Sequence, residues 1–245
     1  MKIAYFIPGP LSRGPLGPEE LVRRESFLNQ HAGDACVVEV RETTSGPASV
    51  ESSVEEYLSV PGLIEAAPQL EAEGFDAIII GCFGDPGLAP ARELVDIPVV
   101  GPGEAAGHIA AQLGLRFGIL TVVHEVVPAI WRQMRQHGLD GAIADVRAVD
   151  VPVLELRERA DEVLATLEAE ASRAIGAGAD AFVLGCMTMG FLDVARSLQG
   201  RVGVPVVNPV LAALKTAETM VSLGVSPSRR AYPSPRKASE ATTVH

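Results

Sequence analysis

The sequence is poor in the residues that mark several common classes of protein. Aromatic residues make up only 4% of its 245 positions, so the hydrophobic share of 47% comes mostly from Ala, Val, Leu and Ile. Such a composition suits strands buried on both faces with helices packed closely over them, and it favours an α/β fold. Cysteine occurs three times, too rarely and too widely spaced for a disulfide framework. No Cys-x-x-Cys or His-x-x-x-His spacing gives a metal motif, so the thiols are expected to be reduced and free. Positive charge is also in deficit. A net charge of −11 would repel phosphate backbones and anionic lipid surfaces, which speaks against nucleic acid or membrane as partner and for a small molecule. No apolar run approaches the roughly 18 residues of a membrane span. The opening MKIAYFIPGP lacks the pattern of a secretory signal, so a cytoplasmic location is expected.

What is present is an alternation of short apolar runs and amphipathic stretches. Lys2 to Ile7 reads as a strand, Glu19 to Gln30 as a helix and Cys36 to Val40 as a strand. The polar stretch from Thr43 to Glu56 reads as a lid or a disordered insert, followed by a helix from about Val60 to Glu73. Strands are expected at Asp76–Ile80, Pro98–Val100, Arg116–Thr121, Val146–Val149, Ala181–Leu184 and Pro205–Val207. Helices are expected at Leu88–Leu94, Glu104–Leu113, Val127–Gln136, Arg157–Ile175 and Val210–Val221. This order implies parallel sheets with right-handed crossovers. Residues 226–245, rich in Ser, Pro, Arg and Lys, read as an extended tail whose end is disordered.

The chain also repeats itself. Asp76-Ala77-Ile78-Ile79-Ile80-Gly81-Cys82 returns as Asp180-Ala181-Phe182-Val183-Leu184-Gly185-Cys186, an offset of 104 (186 − 82). Ile97-Pro98-Val99-Val100-Gly101-Pro102 returns as Val204-Pro205-Val206-Val207-Asn208-Pro209, an offset of 107 (204 − 97). Two blocks in the same order at nearly the same spacing indicate a duplicated unit.

Ligands of parallel α/β sheets bind beyond the carboxyl ends of the strands, which is where each Gly-Cys pair stands. Two halves packed with pseudo-twofold symmetry would put Cys82 and Cys186 on opposite sides of one ligand. Opposed thiols suit proton transfer at carbon: a thiolate removes a proton from one face and a thiol returns one to the other. Helix N-termini are expected to bring the thiol pKa values down from about 8.5. Asp85-Pro86-Gly87 reads as an N-cap with Pro at the first helical position, and Thr188 or Gly190 as the start of a helix after Cys186. The competing reading of a strand-end cysteine is a small buried hydrophobe, and Cys36, within its own strand, is read as core. His124 is a loop histidine or an auxiliary acid/base group, His108 half of an exposed helical pair with Glu104, and Tyr57 a residue that closes over the ligand.

These motifs resemble the hydantoin racemase branch of the aspartate/glutamate racemase superfamily. The resemblance rests on Gly46-Pro47-Ala48-Ser49-Val50-Glu51, Cys82-Phe83-Gly84-Asp85-Pro86-Gly87-Leu88, Ile97 to Gly101, Val183-Leu184-Gly185-Cys186 and Val204 to Pro209. It implies two pseudo-symmetric Rossmann-like subdomains with parallel sheets and the active site in the cleft between them. Residues 1–97 plus 208–225 would form the first subdomain and 98–207 the second. It further implies Cys82 and Cys186 as catalytic acid and base, no cofactor and no metal, and the Gly46 to Glu51 segment as a cleft edge. Gly9, Ser49, Phe83, Gly84, Thr121, Val122, Met187 and Thr188 are the expected substrate contacts. Relatives of this kind are often oligomeric, so a homo-oligomer is one expectation.

The departures bear on substrate. Where the family has Asn-Pro-Asn this chain has Ile7-Pro8-Gly9; Val122 and Val126 stand where it carries Thr and Ser, and Met187-Thr188-Met189 replaces Ala-Gly-Met. Fewer fixed hydrogen-bonding groups imply a substrate less polar than plain hydantoins. Maleate-type isomerisation would keep both cysteines, whereas decarboxylases of this fold keep only the second. A non-catalytic two-lobed binding protein has no use for the matched pair.

Overall fold

The computed structural model describes residues 1–236, so the disordered end expected for the tail lies outside the described residues. Among the described residues eight strands form two four-stranded parallel sheets. The first contains β1 (Lys2–Ile7), β2 (Val37–Glu42), β3 (Ala77–Ile80) and β4 (Val99–Val100) in the order β2-β1-β3-β4. The second contains β5 (Phe117–Thr121), β6 (Ile143–Ala148), β7 (Ala181–Leu184) and β8 (Val206–Val207) in the order β6-β5-β7-β8. The repeat in the sequence is thus a repeat of topology, with β3 and β7 in equivalent places. All four residues of each are buried, as continuous apolar runs must be when helices cover both faces of a sheet.

The glycine before each cysteine belongs to this frame. A Cβ on Gly81 would sit 2.9 Å from the Phe6 carbonyl oxygen, and one on Gly185 would sit 3.0 Å from side-chain carbons of Ile119 and Thr121. Each half therefore needs a bare backbone where its cysteine-bearing strand end presses on the neighbouring strand.

The helices are α1 (Glu19–His31), α2 (Ser53–Ala72), α3 (Leu88–Leu94), α4 (Pro102–Leu113), α5 (Val127–Gln136), α6 (Ala160–Gly176), α7 (Met187–Phe191), α8 (Val194–Val202) and α9 (Pro209–Leu223). Two of them change sides. α4 follows the last strand of the first sheet yet packs on β7 and β8, while α9 follows the last strand of the second sheet and packs on β3 and β4. Val210, Ala213, Leu214 and Ala217 of α9 share a core with Ile3, Tyr5 and Ile79. The terminal helix thus completes the first lobe, but the first boundary needs correction. Val99 pairs with Ile78, so Pro98 to Val100 belong to the first sheet, and the chain crosses over at Gly101 rather than at residue 97.

Several local expectations change as well. The polar stretch ends early because Ser52 accepts a hydrogen bond from the Glu55 N–H at 3.3 Å and starts α2 at Ser53, seven positions before the apolar period becomes clear. Pro61 and Pro68 lie within that helix. The strand expected at Val146 begins at Ile143, and two helices, α7 and α8, stand between β7 and β8 where one, opening at Thr188 or Gly190, was expected; the first of them begins at Met187. Asp85 does not cap the helix that follows it. The N-cap of α3 is Gly87, and the Asp85 carboxylate instead accepts from the Gly103 and Glu104 N–H groups at 2.9 and 2.8 Å, capping α4. Of the tail, the described part runs over the end of α3, where Arg229 donates to backbone carbonyls of Arg92 and Glu93.

Candidate active site

Cys82 lies just past β3, and Cys186, just past β7, is the N-cap of α7 with extended backbone (φ −155°, ψ 134°). The two lobes turn these ends towards one another, and both thiols line a cavity of about 110 Å³. A thiolate at Cys186 raises the pKa of Cys82.

Every expected contact residue borders the same cavity. Gly9 and Ser49 form its edge in the first lobe, with Pro47 and Ala48 beside them. Gly9 is held against that edge, since a Cβ there would fall 2.1 Å from the Pro47 carbonyl oxygen. Phe83 and Gly84 follow the first cysteine, Met187 and Thr188 the second, and Thr121 and Val122 end β5. Several polar groups among them are already engaged. Thr121 donates to the Gly185 carbonyl at 3.3 Å, and Ser49 donates to Glu51 at 3.0 Å. Glu51 in turn accepts from the Val153 N–H at 3.0 Å, tying the edge of the first lobe to the second. Tyr57 and His124 are exposed and do not line the cavity; α2 turns Tyr57 outward, so its expected closing role is lost. His108 is exposed on α4, as a helical pair with Glu104 requires.

Four polar residues of the cavity were not read from the sequence: Arg24, Ser52, Glu56 and Gln133. The signal for Arg24 was available, since Glu20, Arg24 and Leu28 recur at a spacing of four and all three are buried, which places an ion pair on the inner face of α1. Glu56 sits near Cys82: its carboxyl carbon and the Cys82 sulfur each lie 3.9 Å from where a Gly84 Cβ would be. Gln133 donates to the Phe83 carbonyl at 2.6 Å and to Asp85 at 3.0 Å, while its own buried oxygen has no partner.

The charge environments differ. Burial is the largest influence on both thiols and pushes both up, Cys82 to about 12. This overturns the expectation that helix N-termini bring both down, because withdrawing a thiolate from water outweighs the few N–H groups aimed at it. At Cys82 the Gly84 N–H opposes burial, while Cys186, Asp85 and Glu56 add to it. At Cys186 the N–H groups of Met189 and Thr188, the Arg24 charge and the Thr188 hydroxyl all favour the thiolate. Burial also raises the Glu56 carboxyl and the Tyr5 phenol beneath the two cysteines. Among the described residues no cluster of His, Cys, Asp or Glu is arranged to hold a metal ion.

A sequence profile of the Asp/Glu/Hydantoin racemase family matches residues 24–217, which include both cysteines and the strands that carry them. The chain belongs to that family. Among its relatives, the hydantoin racemase of Rhizobium meliloti is 41% identical over 196 residues, covering 78% of this chain and 80% of that one. The hydantoin racemase of Pseudomonas sp. (strain NS671) is 39% identical over 194 residues, covering 78% and 77%. The crystal structure of allantoin racemase from Pseudomonas fluorescens superposes with a TM-score of 0.88 at 30% identity, covering 96% of this chain and 97% of that one. This family member is therefore an isomerase of the racemase type, and its two lobes are those of the racemase fold. No helix among the described residues is long and apolar enough to cross a membrane.

Proposed function

We propose that the protein racemises a small cyclic amide of the hydantoin type without a cofactor, using Cys82 and Cys186 as its acid/base pair. The observation that carries this reading is the convergence of two thiols, one from each lobe, on one small cavity. The carbon attacked lies between a carbonyl and an amide nitrogen. One thiolate takes its proton, the C–H electron pair passes into the adjoining carbonyl as an enolate, and the opposite thiol protonates the other face. The enzyme ends with the protonation of its thiols exchanged, and the stereocentre is inverted.

Phe83, Val122, Val126, Ile130 and Met187 line the cavity with apolar groups, which supports a ring substituent less polar than that of plain hydantoins. The walls leave few uncommitted hydrogen-bonding side chains for a polar substituent. The test is solvent-deuterium exchange into chiral 5-alkyl and 5-aryl hydantoins, with allantoin and free amino acids as comparisons, by wild type, Cys82→Ser and Cys186→Ser. Wild type should exchange with inversion, and each variant should lose inversion by about a thousandfold or more. Undiminished inversion in both variants would refute the assignment of the two thiols.

A further inference from the structure

The two thiols meet the same cavity in opposite electrostatic settings. Beneath Cys186 lies a partly buried ion cluster centred on Glu20. Glu20, 1% exposed, accepts from Arg23 Nε at 2.8 Å and Nη2 at 2.7 Å, and from Arg24 Nε at 2.8 Å. Arg157 adds a third guanidinium at 3.5 Å. One carboxylate among three cations leaves excess positive charge, and the buried member of the group, Arg24, points it at the cavity. The Phe191 ring lies 4.8 Å under the Arg24 guanidinium, so water is kept from that side and screening is weak. Arg24 Nη2 donates to Thr188 Oγ1 at 3.1 Å. With its oxygen accepting from Arg24, the Thr188 hydroxyl has its proton free for the neighbouring Cys186 sulfur.

Around Cys82 the charges have the other sign. Asp85 is 7% exposed and committed to the start of α4, and Glu56 faces the same cavity. Arg132 tempers Glu56 from outside, and His137 Nε2 stands 3.3 Å from Asp85. The buried Tyr5 hydroxyl feels the charge of both cysteines and of Arg24.

We infer that a Glu20–Arg24–Thr188 relay makes Cys186 the thiol that ionises first and serves as base, while Cys82, between Asp85 and Glu56, keeps its proton and serves as acid. Arg24 and Thr188 are then positioning residues that act through Cys186. The inference rests on the two-thiol reading, and it gives the enzyme a direction: its singly ionised form is set for the enantiomer whose hydrogen faces Cys186. After that turnover Cys82 holds the charge and Cys186 the proton, so a proton must move back before the same enantiomer is taken again.

The test needs no substrate, which separates its failure from failure of the proposed reaction. Each cysteine of the full-length protein is alkylated with iodoacetamide across a pH range, and peptide mass spectrometry gives the pH midpoint of each site. Midpoints are compared rather than rates, because Cys82 is the more open thiol. Cys186 should titrate about one pH unit or more below Cys82, and Arg24→Met should move the Cys186 midpoint up by about one unit while leaving that of Cys36 in place. Arg24→Lys, which keeps the charge, should restore most of the shift. Thr188→Val should move it in the same direction by less, and it carries the test alone if Arg24→Met does not fold. A Cys82 midpoint at or below that of Cys186 would overturn the inference, as would a Cys186 midpoint that ignores both Arg24→Met and Thr188→Val.

Discussion

The two halves solve one construction problem with different atoms. At each crossover a helix begins at a Pro, Pro102 or Pro209, and leaves for the opposite lobe. In the second half Asn208 caps its own helix, accepting from the Val210 N–H at 2.9 Å and donating to the Gly190 carbonyl at 2.9 Å. In the first half the matching residue is Gly101, and the cap comes from the loop after the cysteine: the Asp85 carboxylate occupies the space a Gly101 side chain would need, its Cγ 2.5 Å from the Cβ position. Glycine and capping residue have traded places between the halves, since a Cβ on Gly190 would meet Asn208 Oδ1 at 2.6 Å. Duplication thus preserved the frame while changing the charge: a carboxylate near Cys82, a neutral amide near Cys186.

Removing each cap should break this comparison most severely in the first half. Asp85→Ala strands two N–H groups of α4 and one partner of Gln133 in a buried setting, and should cost about 3 kcal/mol in urea unfolding. Asn208→Ala removes a neutral cap and should cost about 1–2 kcal/mol. A larger loss for Asn208 would mean that the second crossover, not the first, holds the lobes together.

Gly9→Ala tests whether the cavity edge depends on the contact with Pro47. The 2.1 Å approach requires the Gly46 to Glu51 segment to move, so turnover should fall about tenfold or more while urea stability drops by about 1–3 kcal/mol. A variant with unchanged turnover would show that this edge is not needed for the reaction.

Alkaline pH sharpens the contrast between folded and unfolded thiols. Cys36 is raised to about 11 and Cys82 to about 12 in the folded state, from an ordinary 9. Between pH 9 and those values the unfolded chain sheds protons that the folded protein keeps, so the melting temperature should fall as pH rises through this window. The thiols' contribution is fully present below pH 9, and Cys82→Ala should flatten the fall. An equal slope in that variant would rule out Cys82 as a contributor. The smallest effect expected is that of Ser52→Ala, which removes a half-exposed cap from α2 and should cost about 1 kcal/mol in urea unfolding.

How far the sequence could be read depended on range. The α/β class, the strands at Ala77–Ile80 and Ala181–Leu184 and the duplicated Gly-Cys ends follow from contiguous residues whose apolar runs admit few alternatives. The start of α2 was hidden because Ser52-Ser53-Val54-Glu55 is polar enough to pass for a loop, although Ser and Glu at that spacing form a capping pattern. Asp85 was misread for a related reason. Local rules put a cap before the nearest helix, while its backbone, at φ 53°, turns the carboxylate to a helix that starts after the next strand.

The sequence by itself determined the repeated unit, the pairing of Cys82 with Cys186 and the apolar character of the residues around them, because each is written in neighbouring positions. Only the tertiary structure decided that α4 and α9 exchange lobes, that Arg24 reaches the cavity from α1, and that one thiol is surrounded by carboxylates and the other by cationic and N–H groups. Those properties come from contacts between residues far apart in the chain, where burial strengthens a charge that would be screened at the surface.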